Sequence, residues 1–195
     1  MLKRGFDIAV SGIALLFLLP LLLVLAATVR LDSPGPALFW QTRVGRSFRP
    51  FQLLKLRSMR HGGPGMEITS GQDERITRVG RLLRDYKLDE LPQLWYVFRG
   101  EMSLVGPRPE MPAFVEQFQA GYAEILQVRP GITDPASLRY RSEAEILGRA
   151  ADPVTYYTEV ILPDKIEISK RYIRNANFRT DMSVILLTMA VLFKK

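Results

Sequence analysis

Apolar residues crowd toward the start of this chain. From Ile8 to Val29 it reads IAVSGIALLFLLPLLLVLAATV, with no charged residue and one proline, Pro20, near the middle. At about 1.5 Å per helical residue this stretch reaches roughly 33 Å, about the hydrocarbon thickness of a bilayer. A second apolar run, Met182 to Phe193, is too short to span and is expected either at a membrane interface or against the core. Between them the pattern is finer and carries most of the charge.

Asp32-Ser33-Pro34-Gly35-Pro36 breaks the first element. Ala37–Arg43 and Phe51–Arg57 then read as two strands of a hairpin, joined by a loose loop around Gly45 to Pro50. Alternation puts Leu54 and Leu56 on one face of the second strand and Lys55 and Arg57 on the other. Two cations side by side fit a diphosphate clamp, and equally a solvated edge-strand face. His61 to Gln72 is Gly-rich and predicted to be a mobile loop. From Thr77 the spacing turns helical, with Val79, Leu82, Leu83 and Tyr86 opposite Arg78, Arg81, Arg84 and Asp85. Pro92 belongs in a first helical turn, so the next helix is expected to start near Asp89 or Glu90. Glu101–Gly106 reads as a short strand running into Pro107-Arg108-Pro109, and Arg129–Pro135 as a stiff turn before Arg139, Arg141 and Glu143. Val154 to Asn177 reads as two helices separated at Pro163.

Composition narrows the chemistry. The 195 residues suggest one domain plus a membrane element, and 27 Lys+Arg against 20 Asp+Glu give a formal net charge of +7. That excess favours an anionic partner: lipid headgroups, a phosphorylated substrate or nucleic acid. Zero cysteines exclude disulfides, zinc thiolates and a cysteine nucleophile, and a single histidine, His61, excludes His-rich metal sites. Carboxylates, Arg and Lys must carry any reaction. Lys3 and Arg4 ahead of an apolar run imitate a signal peptide, but the run exceeds a usual apolar core and only Ala26-Ala27-Thr28 resembles a cleavage site.

The charges also constrain topology. Lys3 and Arg4 precede the apolar stretch, while Arg30, Arg43, Arg46, Arg49, Lys55 and Arg57 follow it. The positive-inside rule pulls both flanks to the cytoplasm, which a straight span cannot satisfy. A helix broken at Pro20 into halves of about 12 residues, each about 18 Å long, would enter and leave through one leaflet. A spanning helix with a tolerated kink accounts for the proline as well.

Adjacent carboxylates Asp89 and Glu90 at a helix start face the positive end of its dipole and stay ionised, although N-capping by Asp89 explains their position too. Arg108, fixed between Pro107 and Pro109, starts partly ordered and suits bidentate phosphate recognition, or else marks a rigid surface turn. Together the strings Arg81-Leu-Leu-Arg84, Lys87-Leu-Asp89-Glu90-Leu-Pro-Gln-Leu-Trp95 and Gly100-Glu-Met-Ser-Leu-Val-Gly-Pro107-Arg108-Pro109 closely resemble the bacterial sugar transferase family, the monotopic phosphoglycosyl transferases. The likeness extends over nearly the whole chain, through Lys55-Leu-Arg57-Ser-Met59 and Arg129-Pro-Gly-Ile-Thr133.

The resemblance implies an α+β fold: a re-entrant membrane helix-break-helix over residues 1–31, then a catalytic unit over 32–195. The latter combines a small β-hairpin or sheet with amphipathic helices on the cytoplasmic membrane face. It favours re-entry, with Pro20, Lys3 and Arg4 setting the topology at the bacterial inner membrane. It implies a minimal, single-domain member, for which a homo-oligomer is possible. Members transfer a sugar-1-phosphate from a UDP-sugar to a polyprenyl (undecaprenyl) phosphate. Asp89 would be the nucleophile, giving an aspartyl-phosphosugar and ping-pong kinetics, with Glu90 its partner. Asp89 and Glu90 would hold Mg²⁺, since an anionic carboxylate must approach a diphosphate. Arg108, Arg84, Lys55 and Arg57 would stabilise phosphate charge, with Pro107 and Pro109 framing that site. Anionic membrane lipid is an expected partner; nucleic acid is not.

The chain departs from the family pattern in places. Leu19-Pro20 stands where many members have Ser-Pro; Tyr96 and Glu101 stand where Asn and Asp are common. Asp134-Pro135-Ala136-Ser137 replaces a Gly and an apolar run after Thr133, so sugar preference does not transfer. A rival reading is a non-enzymatic, membrane-anchored basic module binding anionic lipid or a glycan-assembly partner. It explains charge and anchor but not the carboxylate pair.

Overall fold

A computed structural model describes residues 2–60 and 73–193; His61 and the Gly-rich segment after it lie outside these. Helix α1 (Leu2–Asp32) is long and apolar enough to cross a membrane by length and composition. It is one continuous helix with Pro20 inside it, not two helices with a loop between. The proline removes one backbone hydrogen bond, whereas an unwound loop would strand several more in an apolar stretch.

Both ends of α1 are fastened to the rest of the chain. At its start, the Lys3 ammonium donates to the Val105 carbonyl at 2.9 Å and pairs with Asp181 at 2.5 Å. Arg4 donates to the carbonyls of Val97 and Phe98, and buried Asp7 accepts from Ser103 Oγ and Leu104 N. At its end, Val29 packs on Leu56 and Leu83, and Asp32 accepts from Val79 N. Between these anchors one side of the helix faces outward, with Leu16 72% and Phe17 76% exposed, while Ser11 is buried and Leu22 and Leu25 turn to the protein.

The hairpin follows the alternation. Strands β1 (Leu38–Val44) and β2 (Pro50–Leu56) pair antiparallel from Leu38 opposite Leu56 to Val44 opposite Pro50. Helix α2 (Arg78–Asp85) is capped by the Thr77 hydroxyl, which accepts from Gly80 N. Gly80 lets α2 press on the end of the hairpin, for a Cβ there would fall 1.9 Å from the Ser58 carbonyl oxygen. Leu83 is buried on this side, but Leu82 and Tyr86 are exposed, so only part of the expected apolar face reaches the core.

A 3-10 helix (Leu88–Gln93) leads into α3 (Leu94–Arg99), which packs along α1. β3 (Ser103–Val105) lies parallel to β4 (Gly131–Thr133), an element the sequence reading took for a turn. Gly131 and Gly106 make that pairing possible, since a Cβ on Gly131 would sit 2.1 Å from Gly106 N. Between these strands lie α4 (Pro112–Gln117) and α5 (Gln119–Ile125). Beyond them come α6 (Pro135–Arg139), α7 (Glu143–Gly148) and α8 (Pro153–Tyr156). A π-helical segment (Tyr157–Ile161) joins α8 to α9 (Leu162–Arg174), so the chain does not break at Pro163 as expected. Pro163 falls in the first turn of α9, and the wide turn before it relieves the clash a proline ring makes with the preceding carbonyls. Helix α10 (Phe178–Phe193) packs on β3, β4 and α6, the core placement of the two expected for the tail, and leaves Leu186, Leu187 and Met189 exposed.

The largest apolar cluster joins α4, α5 and α9 through Phe114, Tyr122, Ile125, Leu162 and Ile166. Smaller ones lie under the hairpin (Leu53, Tyr96, Val97, Met102) and at the end of α1.

Candidate active site

Pro92 and Lys87 shape the segment that carries the carboxylates. Lys87 takes the left-handed conformation, φ +55°, and turns the chain into the 3-10 helix whose first turn holds Asp89 and Glu90. The expected α-helical start is thus a tighter 3-10 turn. A lysine at positive φ costs on the order of 1 kcal/mol, a strain that recurs at functional sites. Asp89 does not cap the helix through its side chain.

Burial and charge divide the two acids. Asp89 is 6% and Glu90 8% exposed. Both Glu90 oxygens are engaged: Arg108 Nη1 lies 2.9 Å from Oε2, Arg108 Nη2 closes on Oε1, and Lys55 Nζ stands 3.3 Å from Oε1. Burial opposes Glu90's charge, but Arg108 and then Lys55 outweigh it and hold the carboxyl well below its usual range. Asp89 goes the other way. Burial and the Glu90 charge raise its pKa, against Lys55, Lys87 and Arg84. Its Oδ1 is buried without a hydrogen-bond partner. Buried carboxylate oxygens are ordinarily hydrogen-bonded, so this one singles Asp89 out within the pair.

The cations around the pair are similarly tuned. Burial lowers the pKa of Lys55 despite Glu90, with Arg108 and Arg43 pushing it further down. Burial likewise lowers that of Arg84, which Asp89 partly offsets; Arg84 Nε donates to Ser58 Oγ at 2.8 Å. Glu90 raises the pKa of Arg108, which stays charged. Pro107 and Pro109 are buried; the Pro107 carbonyl accepts from Gly131 N and that of Pro109 from Arg43. The parallel strand pair therefore sets where Arg108 begins.

Four of the predicted residues converge directly: Asp89, Glu90, Lys55 and Arg108, with Arg84 acting on Asp89 from α2. Arg57 does not join them. The strand ends at Leu56, and Arg57, 3% exposed, turns to the end of α1, where it donates to the carbonyls of Pro34 (2.5 Å), Ser33 (2.7 Å) and Val29 (3.4 Å). Its guanidinium is spent on backbone carbonyls at the end of α1 and in the turn that follows, away from the carboxylate pair. Tyr96 is structural, its hydroxyl donating to the Gln52 carbonyl, and Glu101 pairs with Arg99 at the surface.

Further polar residues stand behind Arg108, of which Glu110, Tyr157 and Lys165 carried no functional expectation from the sequence. Glu110 is held by Arg43 at 2.7 Å and by the Tyr157 hydroxyl at 2.6 Å. Lys165 pairs with Glu143 and lies 5.1 Å above the Tyr157 ring. Asp134, buried, accepts from Ser137 N and caps α6. Arg108, Asp134, Ser137 and Lys165 border a cavity sized for about one water molecule. For Glu110 the sequence signal was its place directly after Pro-Arg-Pro.

Among the described residues no three acidic or histidine side chains converge on a metal position. Both Glu90 oxygens are engaged by Arg108 and Lys55, whereas Asp89 Oδ1 is buried without a partner. The donor set fits Mg²⁺ bound by Asp89 and completed by phosphate and water oxygens, which is how Mg²⁺ commonly binds.

The chain is similar to known proteins over its whole length. The family model described as bacterial sugar transferase matches residues 1–195. A UDP-glucose:undecaprenyl-phosphate glucose-1-phosphate transferase of Caulobacter vibrioides is 48% identical over 142 residues, covering 70% of this chain and 53% of that protein. A UDP-N-acetylgalactosamine-undecaprenyl-phosphate N-acetylgalactosaminephosphotransferase of Aeromonas hydrophila is 38% identical over 96% of this chain and 43% of its own length. An Escherichia coli UDP-glucose:undecaprenyl-phosphate glucose-1-phosphate transferase is 36% identical over 97% of the chain and 39% of its own. The chain thus spans about half the length, or less, of these relatives. A match that runs the length of the chain and takes in Asp89, Glu90 and Arg108 makes this chain a member of the bacterial sugar transferase family.

Proposed function

We propose that this chain transfers a sugar-1-phosphate from a UDP-sugar to undecaprenyl phosphate and releases UMP, the initiating membrane step of a bacterial glycan. The observation that carries this reading is the asymmetry of the pair: Glu90 neutralised by Arg108 and Lys55, and Asp89 buried with one oxygen unpartnered. A non-enzymatic lipid-binding module gives no reason to bury that oxygen.

In the first half-reaction an Asp89 carboxylate oxygen attacks the β-phosphorus. The new O–P bond forms as the bond to the α-phosphate oxygen breaks, and UMP leaves with that electron pair. In the second, a phosphate oxygen of undecaprenyl phosphate attacks the same phosphorus and Asp89 returns as carboxylate. Arg108 commits two N–H groups to Glu90 and keeps the rest of its donors for phosphate, while Lys55 and Arg84 add charge where the transferring group becomes more negative. Mg²⁺ on Asp89, when bound, offsets the repulsion between carboxylate and diphosphate.

The membrane placement is part of the proposal. Lys3 and Asp32, at opposite ends of α1, are both bonded to one folded body, through Asp181 and Val79. A straight span puts such ends on opposite faces; a helix bent at Pro20 and dipping into one leaflet keeps both cytoplasmic. The outward Leu16 and Phe17 would then lie in lipid, and Asp89 near the headgroups.

The test incubates purified protein with undecaprenyl phosphate, Mg²⁺ and a panel of UDP-sugars and measures UMP. One sugar should give UMP and a lipid-linked product, and acid-stable label should appear on the protein when the lipid acceptor is withheld. UMP from no sugar, or full activity in Asp89→Asn, refutes the catalytic reading. Cysteine labelling at positions 2 and 32 from opposite membrane faces refutes the re-entrant one.

A further inference from the structure

Away from the carboxylate pair, α6, α9 and α10 enclose an open groove of about 550 Å³. It shares no lining residue with the Asp89–Glu90 cluster. Its lining sets apolar Ile168 and Val184 beside two guanidinium groups, Arg139 and Arg171.

The acids near the groove are already committed. Asp164 takes Arg139 Nε at 2.9 Å and the Tyr140 hydroxyl at 2.6 Å; Glu167 takes Lys170; Asp181 takes Lys3 and the Tyr172 hydroxyl. Arg171 bonds a backbone carbonyl, that of Glu167, through Nε at 3.4 Å, and has no carboxylate partner among the described residues. Arg171 therefore brings positive charge that no carboxylate among the described residues offsets, beside Arg139, whose Nε is paired with Asp164.

Apolar surface continues from it in one direction. Val184 and Leu187 lie one helical turn apart on α10, and Leu187 is 55% exposed, flanked by exposed Leu186 and Met189. The same helix meets the start of α1 through the Lys3–Asp181 pair and the edge-to-face contact of Phe6 with Phe178, centroids 5.4 Å apart. The groove is thus floored by buried Val184 and opens onto exposed Leu187, while α10 meets the start of α1 at its other end.

We propose that this groove binds an anionic glycerophospholipid, its phosphate on Arg171 and Arg139 and one acyl chain laid along Val184 and Leu187. A soluble phosphate matches the guanidinium groups but leaves the apolar strip uncovered; a zwitterionic lipid covers the strip but brings its own cation to the arginines. An anionic lipid satisfies both.

The experiment is native mass spectrometry of the full chain released from micelles containing equal phosphatidylglycerol and phosphatidylcholine. Phosphatidylglycerol should be retained over phosphatidylcholine by about tenfold, the scale of two arginines near an anionic headgroup. Arg139→Gln with Arg171→Gln should abolish that preference, and Ser183→Trp, which fills the groove, should reduce retention while leaving both arginines. The charge-matched Arg46→Gln with Arg49→Gln variant, on the exposed hairpin loop, should keep it. Circular dichroism checks that each variant is folded. Equal loss in the hairpin variant, unchanged preference in the groove variants, displacement by glycerol 1-phosphate, or one-for-one displacement by undecaprenyl phosphate would each overturn the proposal.

Discussion

Arg108 grips Glu90 through both terminal nitrogens, Nη1 at 2.9 Å from Oε2 and Nη2 on Oε1. The fork makes Glu90 a fixed counter-charge and leaves the neighbouring Asp89 as the acid with an open oxygen. Two carboxylates adjacent in sequence therefore have separable roles.

That separation is measurable. Asp89→Asn should lower UMP release by about 10⁴-fold or more, the scale of losing a covalent nucleophile, with an unchanged or raised Tm, because it removes a buried charge that burial disfavours. Glu90→Gln should cost stability as well, about 3 kcal/mol, because Arg108 and Lys55 then face no counter-charge. Thermal unfolding beside the UMP assay distinguishes the two; equal Tm losses would contradict the division of roles.

Arg57 should behave as a structural residue. Replacing it by Met removes the side-chain donor to the Pro34 and Ser33 carbonyls and should cost about 2–3 kcal/mol. The KM for UDP-sugar should stay within about twofold. A large rise in KM with an unchanged Tm would return Arg57 to the phosphate site.

Glu110 gives the fold an acid-sensitive support. Burial opposes its ionisation, but Arg43, Lys165 and the Tyr157 hydroxyl prevail and hold its pKa below the ordinary value. A depressed folded pKa contributes stability above the unfolded value, about 4.3, and that contribution is lost as pH falls through the folded value. Tm of the native chain should therefore drop between pH 5 and 3, and Glu110→Gln should lie lower at pH 7 and flatten that slope. Parallel Tm curves would exclude Glu110 as a source.

Gly80 allows a backbone contact that no side chain permits. Gly80→Ala places a Cβ 1.9 Å from the Ser58 carbonyl oxygen, so α2 must move away from the hairpin. A loss of about 2 kcal/mol or more is expected, with weaker activity because Arg84 rides on α2. A wild-type Tm would show that the contact is adjustable.

Local patterns carried the local elements. The apolar run became α1, and the alternation located both hairpin strands to within a residue or so of their ends. Asp89, Glu90 and Arg108 stood out because proline fixes the backbone next to each. The parallel pairing of β3 with β4 was not legible, since three-residue strands far apart in sequence leave no periodic trace. Arg57 stands apart from Lys55 because the strand ends at Leu56, where the alternation stops and the chain turns. Pro163 read as a break because a π segment, which accommodates it, has no compositional signature.

The fastening of α1 also bears on how the chain is made. Lys3 pairs with Asp181, 178 residues later in synthesis. At bacterial elongation rates that interval is roughly 10–35 s, far longer than a helix takes to form. During that time the start of α1 lacks the last of its partners, although Leu56 and Leu83, which pack on its end, and Val97 and Phe98, which accept from Arg4, are made much earlier. Removing α10 should therefore leave the start of a helix at the opposite end of the sequence less firmly seated.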